Sequence, residues 1–218
     1  MSSTAQATKN EITLRGSTQI VTEFFGYSIN NILYQRGIYP PETFARVAKY
    51  GLTMLVTKDD GLKTYLAQVL EQLSAWLTGG EVQKLVLVIT GASTGEVLER
   101  WAFNVEHDKE VRAAVKGGGG ADAAPTRSKS EKEITKEIQA IVRQITASVT
   151  FLPLLEEPCT FDLLVYADKE ATVPITWEES DPRFIADSTE VRMRSFTTKI
   201  HKVDTMVAYK SRMEDDDI

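Results

Sequence analysis

An apolar run in the first half of the chain limits the possible folds more than any other feature. The segment VQKLVLVIT, from Val82 to Thr90, is rich in β-branched side chains and has little polarity after Lys84. Such a run predicts a central strand that is buried on both faces. Gly91 to Gly95 favour a turn, and the alternating segment from Glu96 to Glu106 predicts an antiparallel partner strand. One face of that partner is expected to carry Val97, Glu99, Trp101, Phe103 and Val105.

Two helical patterns precede this hairpin. The first helix is expected to begin near Ser17, a plausible N-cap, and to end near Arg36, before a glycine and two prolines. The second is expected to start from a cap at Asp59 or Asp60. Its apolar residues fall on a single stripe, and Gly79–Gly80 ends it.

The third helix has the most informative composition. Ser130 and Glu133 form a capping box at its start, and Pro153 ends it. Its apolar stripe is expected to consist of Ile134, Ile138, Ile141, Ile145, Val149 and Leu152. Between Ile138 and Leu155 the only charged residue is Arg143, which lies off that stripe. This composition is typical of a central helix, of a helix that also faces a protein partner, or of both.

The remaining sequence predicts a linker, one more buried strand and a looser C-terminal region. Gly117 to Pro125 form a low-complexity linker to which we assign no function. Thr160 to Asp168, TFDLLVYAD, predict a second apolar strand. From Lys169 to Ile218, two short alternating pieces predict strands and loops that lie over the core and are less firmly fixed.

Composition argues against several classes of function. Cys159 is the only cysteine, so no intrachain disulfide is possible and an intracellular protein is expected. Cys159, His107 and His201 lack the spacing of metal ligands, so no metal is expected. The formal net charge of −6 argues against a nucleic-acid-binding surface. The sequence also shows no signal peptide and no apolar run of about 18 residues, so no membrane span is expected.

One motif points to an enzyme, but its surroundings do not fit. LVLVITGASTG, from Leu85 to Gly95, resembles the nucleotide-binding turn of short-chain dehydrogenases. That site needs a helix N-terminus after the turn and a further glycine, whereas a strand is expected and Val97 takes the glycine position. No tyrosine is followed by lysine four residues later, so that family's proton-transfer pair is missing. We therefore favour a hairpin turn without a cofactor and keep an NADP-dependent reductase as a remote alternative.

Long strings of the sequence resemble the HORMA-domain spindle assembly checkpoint proteins of the mitotic arrest deficient family. They are Leu14 to Phe44, Leu85 to Phe103, Ile141 to Glu156, Phe161 to Asp168, Trp177 to Pro182 and Val191 to Lys210. The strings keep a consistent order over nearly the whole chain. The sequence departs from the family in its first ten residues, in Gly117–Gly120 and in its acidic tail.

The resemblance implies an α+β, HORMA-like fold, with three helices packed on a mainly antiparallel sheet and a mobile C-terminal safety-belt segment. It implies a single domain over residues 1–218, with a core at about 11–168, a rearranging belt at about 169–212 and a flexible acidic tail at 213–218. The implied activity is binding and not catalysis. The module switches between open and closed conformers, wraps a partner peptide, and inhibits the activator of the anaphase-promoting complex until chromosomes attach. An adaptor subunit of a translesion DNA polymerase, which has the same fold, is the alternative.

The implied partners are the coiled-coil kinetochore receptor of the checkpoint, the activator subunit of the anaphase-promoting complex, and a second copy in an open–closed self-dimer. Nucleic acid, membrane and small-molecule substrates are not expected. The implied location is the nucleus, the kinetochore and the cytoplasm.

The same resemblance assigns residues to these tasks. The partner peptide is expected to pair with the strand Phe161, Asp162, Leu163, Leu164, Val165, Tyr166, Ala167 and Asp168. Self-association is assigned to Arg143, Gln144, Phe151 and Arg194. The belt residues are Trp177, Ile200, His201, Val203 and Tyr209. Ser180, Ser188 and Ser195 match serines proposed as phosphorylation sites, where a phosphate would add charge to the belt.

Overall fold

A computed structural model describes residues 11–211, so the expected acidic tail and the first ten residues lie outside the described range. The strands are β1 Glu11–Ile12, β2 Phe44–Lys49, β3 Leu52–Thr57, β4 Val82–Gly91, β5 Val97–His107, β6 Arg127–Ser128, β7 Cys159–Ala167, β8 Ser188–Thr197 and β9 His201–Lys210. The helices are α1 Leu14–Gln35, α2 Asp60–Thr78, α3 Lys109–Ala114 and α4 Glu131–Ala147.

Five strands form the main sheet, in the order β7-β4-β5-β9-β8, and every neighbouring pair is antiparallel. The predicted hairpin of β4 and β5 lies inside this sheet, so β4 has a hydrogen-bonded strand on each side. Residues Leu85 to Gly91 are all buried, which confirms a central strand covered on both faces. The predicted α+β class, helices on a mainly antiparallel sheet, is confirmed.

The main core lies between this sheet and the helices. Phe24 and Phe25 of α1 are fully buried, and the Phe24 ring lies 5.9 Å from that of Phe103 on β5 and 4.8 Å from that of Phe196 on β8. A smaller apolar cluster occupies the other face of the sheet. It consists of Val86, Val88 and Ala102, with Val97, Leu164, Tyr166 and Met206 packed against it. The prediction that Val97 shares a face with Trp101 is therefore wrong, because the pairing of β4 with β5 shifts register at Ile89–Thr90.

Local capping explains where the helices begin. Asp59 caps α2 and Ser130 caps α4 with the predicted capping box. The predicted start of α1 at Ser17 is wrong, since the Thr13 hydroxyl accepts from the backbone N–H of Gly16 and the helix begins at Leu14. The Ser17 hydroxyl is fully buried and bonds within the core instead.

The stripe predicted for the third helix is wrong at one position. Helix α4 ends at Ala147, and a tighter 3₁₀ turn follows at Ser148–Thr150. This change of pitch turns the Val149 side chain outward, so it is 43% exposed, while Leu152 is buried.

The hairpin of β2 and β3 and helix α3 were not predicted, and the predicted C-terminal strands lie elsewhere than expected. The hairpin of β2 and β3 turns at Tyr50 and Gly51, which both have positive φ, as a tight two-residue turn requires. Helix α3 precedes the glycine stretch, which follows it through a kink at Gly118, where φ is 88°. Strands β8 and β9 are part of the main sheet and do not lie over it as expected. No helix within residues 11–211 is long and apolar enough to cross a membrane.

Candidate functional site

Strand β7 forms one edge of the main sheet. Its inner side pairs with β4 from Cys159 to Ala167, and within residues 11–211 no strand pairs with its outer side. An unpaired edge presents backbone N–H and C=O groups that can bond an added strand. Leu163 is buried and its neighbours from Phe161 to Ala167 are half-buried, so the edge is apolar but still reachable.

The segment from 169 to 187, here called the belt segment, runs past this edge. On the helical side of the sheet, the indole N–H of Trp76 donates to the Thr172 carbonyl at 3.0 Å. The Trp177 ring packs edge-on against Trp76, with 5.0 Å between ring centroids. Trp76 belongs to α2, so the first half of the belt segment is held on the helical side.

The second half of the belt segment contacts the strand edge and then the other face. Arg183 forms an ion pair with Asp162 of β7 at 2.6 Å. The Phe184 ring lies 4.7 Å from the guanidinium carbon of Arg100. The Arg100 guanidinium also lies 3.4 Å from the Tyr166 hydroxyl. Tyr166 packs against the smaller apolar cluster, on the face of the sheet away from the helices. The belt segment therefore passes from one face of the sheet to the other around the free edge of β7.

A cavity of about 410 Å³ lies between the belt segment and β7. Its lining includes Trp76, Trp177 and the β7 residues from Leu163 to Ala167. The belt side also contributes the carboxylates of Glu178, Glu179 and Asp181, all exposed. The site is thus an apolar slot with an open strand edge on one wall and negative charge on the other. Such a slot can hold an extended, apolar segment that carries positive charge.

Asp168 anchors the start of the belt segment. Its carboxylate accepts hydrogen bonds from Lys116 at 2.5 Å, Arg112 at 2.7 Å and Gln83 at 2.9 Å. These bonds, led by that from Lys116, hold the pKa of Asp168 well below its usual range. Lys116 belongs to the glycine-rich turn after α3, so this turn fixes the point where the chain leaves β7.

The structure separates the predicted belt residues into two groups. Trp177 lines the cavity. Ile200 is buried just before β9, and His201 and Val203 are buried within it; β9 pairs with β5 and not with β7. Tyr209, near the end of β9, is half-buried and its ring contacts that of Phe151 at 6.2 Å. These four residues hold the C-terminal hairpin in the sheet and do not touch the cavity.

The predicted self-association residues lie along α4 and β8. Arg143 is exposed, and the Gln144 side-chain oxygen accepts from the Arg194 backbone N–H at 2.7 Å, which joins the two elements. Phe151 follows α4 and is 42% exposed. Sequence reasoning missed the exposure of Val149 and Leu154 in the same segment. The helical period hid it, because the helix ends before these residues.

The three candidate phosphorylation serines occupy different settings. Ser180 is exposed in the belt segment and lines the cavity. Ser188 starts β8 and Ser195 lies within it, and both are half-buried. Their phosphorylation stays a prediction.

The turn that resembled a nucleotide site is a β-hairpin between β4 and β5. It also has the Gly-x-Ser-x-Gly pattern of a hydrolase nucleophile, but Ser93 does not contact a histidine. The Glu157 carboxylate accepts hydrogen bonds from the backbone N–H and hydroxyl groups of Ser93 and Thr94. These bonds lower the pKa of Glu157 to about 2, so a fixed negative charge fills the turn. Within the described chain, no cluster of three or more His, Cys, Asp or Glu residues is arranged to hold a metal.

Comparison with known proteins gives consistent matches. The family model "HORMA domain" matches residues 17–201. The "Mitotic spindle assembly checkpoint protein MAD2A" of Dictyostelium discoideum is 64% identical over 208 residues, covering 94% of this chain and 97% of that protein. The human protein of the same name is 60% identical over 204 residues, covering 94% and 95%. By contrast, the zebrafish protein named MAD2B is 23% identical over 202 residues.

Solved structures give the same picture. A chain in the "Crystal Structure of Mitotic Checkpoint Complex" is 49% identical, with a TM-score of 0.78, and covers 90% of this chain and 99% of that one. A Caenorhabditis elegans HTP-2 structure, described as bound to a HIM-3 closure motif, is 17% identical with a TM-score of 0.69 and covers 91% of this chain and 92% of that one. This second likeness supports the fold alone.

Proposed function

The chain belongs to the HORMA-domain family of mitotic spindle checkpoint proteins, and from this premise we propose that it captures an extended partner peptide between β7 and the belt segment. The observation that supports this most directly is the path of the belt segment around a free strand edge, with a cavity between them. This arrangement corresponds to the belt-wrapped, closed conformer that the resemblance implies. Capture by strand addition would use main-chain hydrogen bonds for affinity and side-chain pockets for specificity.

Within the checkpoint, the captured partner is the activator subunit of the anaphase-promoting complex, which the protein restrains until chromosomes attach. The coiled-coil kinetochore receptor offers a second peptide for the same slot. High identity with relatives named MAD2A favours this checkpoint role over the translesion-polymerase adaptor. The relatives are named as checkpoint proteins and not as enzymes, in keeping with action by binding alone. We place the protein at the nucleus, the kinetochore and the cytoplasm, which a fluorescent fusion in dividing cells would test.

The direct test is capture of a synthetic peptide by the purified protein. The peptide should be as long as β7, with apolar side chains at alternate positions and lysines at its flanks to meet the carboxylates of Glu178 and Glu179. Calorimetry is expected to give one site per chain, with slow association because the belt segment must open first. A peptide of the same composition with its apolar residues replaced by serine is the control. Equal binding of both peptides, or of neither, would refute the proposed site.

Self-association is expected to use a different surface from peptide capture. Replacing Arg143 with alanine should weaken the dimer about 30-fold, because an exposed arginine at an interface centre contributes about 2 kcal/mol. Capture of the peptide should be unchanged, since Arg143 lies on α4 and does not line the cavity. Sedimentation and calorimetry on the same samples would check both. Lys132→Ala, at the exposed start of α4, is the matched control. Unchanged self-association in Arg143→Ala would contradict the assignment, whereas loss of both activities together would instead indicate misfolding.

A further inference from the structure

A closed polar network joins the C-terminal hairpin to α1. His201 is the first residue of β9 and is 1% exposed. Its Nδ1 atom lies 2.7 Å from the Ser17 hydroxyl of α1, and that hydroxyl lies 2.5 Å from the hydroxyl of Thr198. Thr198 in turn accepts from the backbone N–H of His201 at 2.9 Å. All three side chains are buried, so the turn of the hairpin is fastened to the first turns of α1 through His201.

The geometry of this network accepts a neutral imidazole and rejects a charged one. The charged ring carries two N–H groups and needs two acceptors. The Ser17 hydroxyl can accept a hydrogen bond from Nδ1–H, but Nε2 is buried and has no hydrogen-bond partner among the described residues. The backbone carbonyl of Leu77 on α2 favours the charged ring, although Nε2 makes no hydrogen bond with it. Protonation would therefore place a positive charge and an unsatisfied donor in the core.

A second histidine faces the first. His107 on β5 is the direct cross-strand partner of His201, and the two rings lie 4.9 Å apart in an edge-to-face arrangement. His107 Nε2 lies 2.7 Å from the Val82 carbonyl, and since that oxygen can only accept, the nitrogen carries the proton. His107 is the titratable group that faces His201, and it lowers the pKa of His201 further. Burial lowers the pKa of His107, and the cations of Arg112 and Lys116 lower it further, whereas the Val82 carbonyl and the Asp168 carboxylate raise it.

We infer that His201 is a proton-sensitive latch, which holds the C-terminal hairpin against α1 while neutral and releases it when protonated. Its burial, its single acceptor and the facing His107 carry this inference. We also expect release of the hairpin to free the belt segment and a captured peptide, and this consequence rests on the proposed function. The hairpin follows the belt segment directly in the chain, so both must move together when β8 and β9 leave β5.

The sign of the pH effect follows from linkage. Burial, the largest cause, lowers the pKa of His201 to about 3 in the docked hairpin, whereas a released ring would titrate near its ordinary value of 6.5. A lowered pKa means that docking is fully stabilised above about pH 6.5 and loses stability as the pH falls toward 3. For one site, the docking equilibrium should fall about tenfold for each pH unit within this window.

Amide hydrogen exchange with mass spectrometry tests the latch on the full chain. Between pH 6 and pH 4, protection of β9, corrected for intrinsic exchange, should fall about tenfold per pH unit relative to protection of α2. His201→Gln keeps a side-chain partner for Ser17 but cannot gain a charge, so its relative protection should not depend on pH. Equal pH slopes in the wild type and the variant, or parallel loss of protection in β9 and α2, would overturn the inference.

A measurement on the unaltered protein covers the case in which His201→Gln does not fold. In nuclear magnetic resonance titrations, the His201 ring carbon and proton shifts should stay constant from pH 7 to pH 4.5 in the docked state. A midpoint near 6.5 in the docked protein would overturn the latch. Peptide capture at pH 7.5, measured in parallel, separates the two ideas. Failure of capture there removes the proposed function, while the latch is decided by the exchange and titration results alone.

Discussion

Replacing Arg36 with alanine is expected to lower the free energy of unfolding by about 3–5 kcal/mol, because it leaves a buried carboxylate without its cation. The Arg36 guanidinium contacts the Glu99 carboxylate at 2.5 Å, and the two side chains are only 5% and 2% exposed. Burial raises the pKa of Glu99, while Arg36 and the indole N–H of Trp101 favour its ionised form. Without Arg36, Glu99 must either stay charged in the core or take up a proton at neutral pH, and both cost stability.

The same arginine also donates to the Pro153 carbonyl at 2.5 Å, so it ties α1 and β5 to the chain that follows α4. Urea denaturation would measure the loss. The matched control is Arg15→Ala, whose ion pair with Asp122 is 70% and 82% exposed and should contribute less than about 1 kcal/mol. The double replacement Arg36→Met with Glu99→Leu should recover most of the lost stability, because it removes both charges. If Arg36→Ala lowers the free energy of unfolding no more than Arg15→Ala does, burial of the Arg36–Glu99 pair does not make it more important for stability than an exposed pair.

Local patterns predicted the elements whose identity depends on neighbouring residues. Helix α2 and the start of α4 follow from a cap and a 3.6-residue period, and β4 from an apolar run. Prediction failed where backbone geometry changes over a few residues. Ser17 looked like a cap, but Thr13 comes first and Ser17 is used in the core. Val149 continued the helical period, but the helix ends two residues earlier.

Polar contacts between distant residues were harder to predict. The alternation of β5 placed Glu99 on the inward face beside Trp101, which is correct, but nothing in the sequence names Arg36, 63 positions away, as its partner. His201 lies among lysines, yet it alternates with Val203, Thr205 and Val207, which are all buried. That period of two was a usable signal for its burial.

The path of the belt segment could not be predicted from local patterns. It depends on contacts such as that of Trp76 with Thr172, 96 positions apart, and on the ion pair of Arg183 with Asp162. Composition indicated only a looser C-terminal region. The family resemblance supplied the idea of a belt, and the structure shows its route, its cavity and the anchor at Asp168.

Replacing Trp177 with alanine should weaken peptide capture about 30-fold while leaving the fold intact. Trp177 is half-buried, lines the cavity and packs on Trp76 from the belt side. A truncated aromatic anchor at the centre of an interface costs about 2 kcal/mol or more, which corresponds to about 30-fold in Kd. Because the belt segment has to open before a peptide can leave, we expect most of the effect in the dissociation rate.

The belt segment provides its own control for this experiment. Ile175 is fully exposed, two positions from Trp177, and does not line the cavity, so Ile175→Ala should leave the Kd unchanged. Trp76→Ala is less informative, because Trp76 is 4% exposed and its removal would also cost core stability. Thermal denaturation should therefore separate Trp177→Ala, with a small shift, from Trp76→Ala, with a large one. If Trp177→Ala binds the peptide as tightly as the wild type, Trp177 does not contact the bound peptide in this cavity. The pair of Trp76 and Trp177 would then serve only to hold the belt segment on α2.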